Sequence, residues 1–221
     1  MRVFPGGFLV LLFAAFVALG TWQVYRLSWK LDLIARVDAR VHAAAVAPPA
    51  TATADDEYRK VTATGIFLND KETAVQAVTE RGAGFWVMTP LKTADGRVIL
   101  INRGFVPGNR RHPSKHAQQV GPVSVTGLLR LTEPKGGFLR SNDPAADRWF
   151  SRDVAAIAAT RHIGTVAPYF IDADTTPNPG GYPIGGLTVI RFPNNHFVYA
   201  ITWYGLALMT IIGGVILFRK R

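Results

Sequence analysis

From Val198 to Phe218 the chain carries no charged residue, and these 21 residues constrain the fold more than any other stretch. A helix rising 1.5 Å per residue would make the run roughly 30 Å long, the thickness of a bilayer's hydrocarbon core. It stops at Arg219-Lys220-Arg221, a basic cluster of the kind retained on the cytoplasmic side. The other end then faces outward. There a turn-rich approach from Gly180 to Gly186 leads to Pro193-Asn194-Asn195-His196, a helix start that carries a histidine.

A second uncharged run, Val3 to Trp22, follows Arg2. Phe8 to Leu19 would also suit the apolar region of a secretory signal, with a cleavage site at Ala18-Leu19-Gly20. Helical spacing past that point argues for a retained anchor, because Val24, Leu27, Leu31, Ile34 and Val37 form one apolar stripe. Arg26 and Lys30 on the outer side argue against the inferred orientation. The C-terminal triplet decides it, since two spans put both termini on one side and a long loop crosses largely regardless of its charge. No Arg- and Ser-rich transit segment precedes the first span, which points to a bacterial inner membrane, with both termini cytoplasmic and the central domain periplasmic.

Between the spans, Ala43 to Ala54 reads as a linker around Pro48-Pro49. Strand patterns follow at Tyr58–Phe67, Glu72–Thr79, Phe85–Leu91, Arg97–Val106 and Val123–Leu131, with Asp95-Gly96 as a hairpin turn. A short strand is expected at Trp149–Arg152, then a small helix over Asp153–Thr160. Tyr169–Asp172 and Leu187–Phe192 are expected to pair as late strands. The expected fold is α+β: two transmembrane helices flanking an extracytoplasmic antiparallel β barrel or sandwich. Its parts are a first span over residues 3–25, an amphipathic helical extension over 26–46, a linker over 47–57, a β-rich domain over 58–192 and a second span over 196–218.

The formal charge of +10 invites a nucleic-acid reading, but no basic stretch is longer than Arg110-Arg111 and no nucleic-acid motif accompanies it. Cysteine is absent, which excludes disulfide scaffolds, thiolate metal sites and thioredoxin-like redox work. Three methionines give soft copper(I) ligation almost nothing to work with. There is no Gly-x-Ser-x-Gly, HExxH, Walker or GxGxxG pattern, so an enzyme is not expected. His112 and His116 have ligand-like spacing, but Pro113 interrupts the helix that would align them and Arg110, Arg111 and Lys115 repel a cation. They read as a solvated loop, and His42 and His162 as surface.

His196 differs by location. An imidazole at the positive end of a helix is suited to metal ligation in its neutral form. Tyr199 and Trp203 follow at i+3 and i+7, which puts the three on one helix face. Histidine above aromatic surface at a membrane boundary would suit a haem iron and macrocycle, with Arg26 and Arg191 meeting the propionates. An interfacial aromatic belt with a capping histidine explains the same residues without a ligand. On the residues alone both readings stay open.

Three segments bear on the choice. Gly20-Thr21-Trp22-Gln23-Val24-Tyr25-Arg26-Leu27-Ser28-Trp29-Lys30 leaves the first span, Gly84 to Pro90 precedes Asn102-Arg103-Gly104-Phe105-Val106-Pro107, and Pro193-Asn194-Asn195-His196 runs into Trp203-Tyr204. In this order and over nearly the whole chain, they resemble the surfeit-one (Surfeit locus protein 1) family of cytochrome c oxidase assembly factors. Phe105 departs from the tryptophan common in that family. The resemblance implies an inner-membrane protein that handles haem a for the catalytic subunit of a haem-copper oxidase. His196 would then be the metal-ligating residue, membrane lipid the surroundings, and haem A synthase a further partner. The alternative it leaves is a scaffold that steadies the catalytic subunit without carrying haem, docking helices at the Ala14/Ala18 and Thr210/Gly214 small-residue spacings.

Overall fold

The computed structural model describes residues 4–137 and 139–219; Arg2 and the Lys220-Arg221 end of the basic triplet lie outside the described residues. Along the chain the elements are α1 (Phe4–His42), β1 (Lys60–Phe67), β2 (Thr73–Thr79), β3 (Gly82–Thr93), β4 (Val98–Pro107), β5 (Pro122–Leu131), α2 (Val154–Thr160), β6 (Tyr169–Ala173) and α3 (His196–Arg219). Contacts divide them into two units, a helical one of residues up to Arg36 and from Ile190 on, and a β unit from Val37 to Val189.

In the helical unit, α1 and α3 are both long and apolar enough to cross a membrane. α1 starts with Pro5 in its first turn, where a missing N–H costs nothing, and it passes Ala18-Leu19-Gly20 unbroken. Between the two helices runs a narrow seam of small and aromatic residues. The rings of Phe16 and Trp203 stack with centroids 5.8 Å apart, and Gly20 lies beneath the ring of Tyr204, whose hydroxyl meets that of Thr21 at 3.1 Å. Gly20, Gln23, Ala200 and Ala207 are buried there, three residues apart on α1 and seven apart on α3, a spacing that keeps one stripe of each helix on its neighbour.

The expected stripe holds in part: Val37 is buried and Leu27 and Ile34 are half-buried. Val24 and Leu31 are about half exposed, whereas Gln23 is buried and Lys30 half-buried, its ammonium 5.4 Å above the ring of Phe192. Polar residues occupy seam positions, so a search for apolar spacing selects the neighbouring stripe. The remaining apolar side chains, among them Phe8, Leu11, Ile201 and Ile212, are exposed, as lipid-facing side chains of a spanning helix are.

In the β unit the six strands form one sheet in the order β1-β5-β6-β4-β3-β2, and a further pairing of β1 with β3 closes five of them into a barrel. Closure is close-fitting at Gly65, where a Cβ would strike the backbone carbonyl of Lys92. All pairings are antiparallel except β4 with β6. β4 is buried along nearly its whole length, so its first half, Val98 to Ile101, reads as a continuous apolar run rather than an alternating one. Ile99 and Ile101 point into one core with Val61, Leu91, Leu129 and Ile171. Leu100 points into a second with Met88, Trp149, Ile157 and Phe170, under α2.

The small helix forms as expected, with the Asp153 carboxylate accepting from the Ala156 N–H at 3.1 Å. The Asp95-Gly96 turn joins β3 to β4, with Gly96 at φ +83°. Two expectations fail. Trp149–Arg152 is not a strand; Trp149 makes a single bridge to Val75. Leu187–Phe192 does not pair with β6, because β4 and β5 already fill both edges of that strand.

Candidate functional site

The expected site lies at the start of α3. The Asn195 carbonyl accepts from the Tyr199 N–H at 3.2 Å, the first intrahelical bond, which makes Asn195 the N-cap and His196 the first residue of the helix. His196 is half-buried. Its Nδ1 lies 2.7 Å from Oε1 of Gln23, a side chain from α1 that is only 8% exposed. Among the described residues Nε2 of His196 has no hydrogen-bond partner. Nearby in sequence, Oδ1 of Asn194 is buried and also unpartnered.

The other expected residues are placed less uniformly. Trp203 shares the seam stripe with His196 and is stacked on Phe16, whereas Tyr199 is 53% exposed and turns off that stripe. Arg26 is exposed, its guanidinium 4.6 Å above the ring of Trp29. Arg191 is exposed in the segment before α3 and makes no hydrogen bond or ion pair with the described residues. The structure therefore joins His196 to Gln23, which site reasoning from sequence passed over. The available signal was a lone amide among apolar residues, one turn beyond Gly20.

This donor set can be tested against the candidate ligands. A bare metal ion needs several protein donors, and no group of three or more His, Asp or Glu able to hold one occurs among the described residues. Haem iron already has four macrocycle nitrogens, so one imidazole with an unpartnered nitrogen suffices for axial ligation. His196 fits that requirement.

The β unit holds two polar clusters, and in both the buried carboxylate is paired internally. One corrects the expected solvated loop: the His116 side chain is fully buried, with Nε2 3.1 Å from Oε1 of Glu72. Thr89 donates to the same carboxylate, and Arg103 approaches it at 3.6 Å. Burial pulls the Arg103 guanidinium below its usual range and the charge of Glu72 partly opposes this. His116 thus pins the loop to the barrel, while His112, His42 and His162 are exposed as expected. In the second cluster, Asp172 accepts from Asn102, Arg130, Arg152 and Thr188 in the wall of a cleft of about 330 Å³. Both arginines are committed to carboxylates, so the cleft presents no free positive charge from them. Neither cluster offers an activated nucleophile.

Comparison with known proteins bears on which reading applies. The SURF1 family model matches residues 10–208. The chain belongs to the SURF1 family. Surfeit locus protein 1 of Rattus norvegicus is 39% identical over 233 residues, which cover 96% of this chain and 74% of that protein. The SURF1-like protein of Monosiga brevicollis is 39% identical, covering 91% of this chain and 83% of its own. Human Surfeit locus protein 1 is 39% identical over 87% of this chain and 70% of its own length. The SURF1 family is one of cytochrome c oxidase assembly factors, and with two apolar helices this member is a membrane protein.

Proposed function

We propose that the chain binds haem a at the outer end of α3 and passes it to the catalytic subunit of a haem-copper oxidase, without catalysing a reaction itself. The observation that carries this reading is the unpartnered Nε2 of a half-buried His196 whose Nδ1 is already engaged. His196 supplies one axial ligand. Exposed Tyr199 packs the macrocycle, and Trp203, already stacked on Phe16, borders it. Arg26 and Arg191 meet the propionates, as their exposure permits. The basic C-terminal triplet supports a topology with both termini cytoplasmic and the β unit periplasmic, in a bacterial inner membrane. A haem A synthase would load such a carrier. Its affinity is moderate, because a carrier that never releases delivers nothing.

A scaffold role finds support in one feature, an apolar groove of about 240 Å³ lined by Leu9, Phe13, Thr210 and Gly214, where a partner helix could pack. Titration of the purified protein in detergent micelles with haem a separates the two. Saturable 1:1 binding, weakened at least about tenfold by His196→Ala, is the carrier result. Absence of saturable binding to the intact protein is the scaffold result.

A further inference from the structure

Gln23 is the most deeply buried polar side chain of the helical seam, and its only hydrogen-bond partner among the described residues is His196 Nδ1, at 2.7 Å. We infer that Gln23 is a positioning residue for the haem site: it fixes the His196 ring in the tautomer and orientation that turn Nε2 into a ligand. The inference rests on the carrier reading for its purpose, and on the geometry of the protein alone for its chemistry. An amide oxygen only accepts, so the bond requires the proton to sit on Nδ1. A neutral imidazole with its proton there has its lone pair on Nε2. A buried carbonyl that lost this partner would pay its full desolvation cost, so the bond resists opening.

The helices leave Gln23 little freedom. One turn before it, Gly20 is pressed against the ring of Tyr204, and a Cβ at that position would come within 2.9 Å of the ring. Thr21 is tied to the same tyrosine through its hydroxyl. These contacts set the rotation of α1 against α3, and with it the position of Oε1 against Nδ1. The choice of an amide has a further consequence. Ligating histidines commonly donate to a carboxylate, which raises ligand basicity and tightens the metal bond. A neutral amide orients the ring as well and polarises it less, which suits a ligand that must later let go.

The wild-type protein gives the first test, which does not depend on haem. Its 15N spectrum, with histidine labelled and His196 assigned through loss of its signals in His196→Ala, should show Nδ1 protonated and Nε2 bare in detergent micelles without haem. The opposite tautomer overturns the inference and leaves the carrier reading in place. The second test compares Gln23→Met, of similar length without the acceptor, with Gln23→Glu, after circular dichroism shows both folded. Gln23→Met should weaken haem a binding about tenfold or more, while Gln23→Glu should bind at least as tightly, release more slowly and shift the reduction potential downward. If both bind and titrate as the wild type does, Gln23 is packing alone. If His196→Ala binds with an unchanged spectrum, the carrier site itself is misplaced, which is a separate failure.

Discussion

In the β unit, Ile99, Ile101, Leu129 and Ile171 are fully buried, whereas on α3 Ile201, Ile211, Ile212 and Ile216 stand about half in the open. The same residue type thus serves two solvents. The barrel removes apolar surface from water by closing strands around it, and it pairs its buried charges internally, as at Glu72 with His116 and Asp172 with Arg152. The helices gain little by hiding apolar side chains from lipid that is equally apolar. Their contact is narrow, built on Gly20, Ala200 and Ala207, with polar groups as the directional links. A hydrogen bond between His196 and Gln23 therefore does in the helical unit the orienting that dense packing does in the barrel. The haem site proposed above lies where packing is sparse.

Four substitutions probe that contrast, and the largest effect belongs to the barrel core. Trp149 is 2% exposed, and Trp149→Ala should cost about 3–5 kcal/mol, read from denaturant unfolding followed by the β signal in circular dichroism. Ile212→Ala on the exposed face of α3 should change unfolding by less than about 0.5 kcal/mol. Equal losses would refute the division into two solvents. The glycines sharpen it further. Gly65→Val meets a backbone carbonyl held in the β1–β3 ladder, whereas Gly20→Val meets the ring of Tyr204, which can swing. Gly65→Val should lower the thermal midpoint more, and Gly20→Val should instead reduce haem affinity by moving Gln23.

The smallest effect is electrostatic. The Thr93 hydroxyl, with Arg97 beside it, holds the Asp95 carboxyl down at about 2, below the usual value near 3.8. A depressed carboxyl contributes stability above its unfolded value and loses it as pH falls through the folded one. The difference between wild type and Asp95→Asn should be small at neutral pH and fade between about pH 4 and pH 2. The carboxylate is exposed, and added salt should shrink the difference as well.

Much of this arrangement is legible in residue order. Two uncharged runs mark the spanning helices, short strand-forming runs bounded by turn residues mark β1 to β5, and Asp95-Gly96 marks the hairpin. What escapes is set by contacts far apart in sequence. Tyr169–Ala173 lies between β4 and β5 because both have a free edge there, and nothing local in Leu187–Phe192 reveals that no edge remains for it. His116 looks solvated among arginines, yet its partner Glu72 sits 44 residues away on the barrel. Gln23 and His196 are 173 residues apart. The amide at a seam position looks like an interruption of an apolar stripe until the second helix is beside it.

The central claim is that His196 carries haem a, and one comparison tests it most directly. The full-length protein would be purified from cells that synthesise haem a, and its visible spectrum recorded beside that of His196→Ala prepared identically and shown to be folded. The account predicts a haem a band in the first and its loss in the second. A band of equal strength in both, or no band in either, would contradict it.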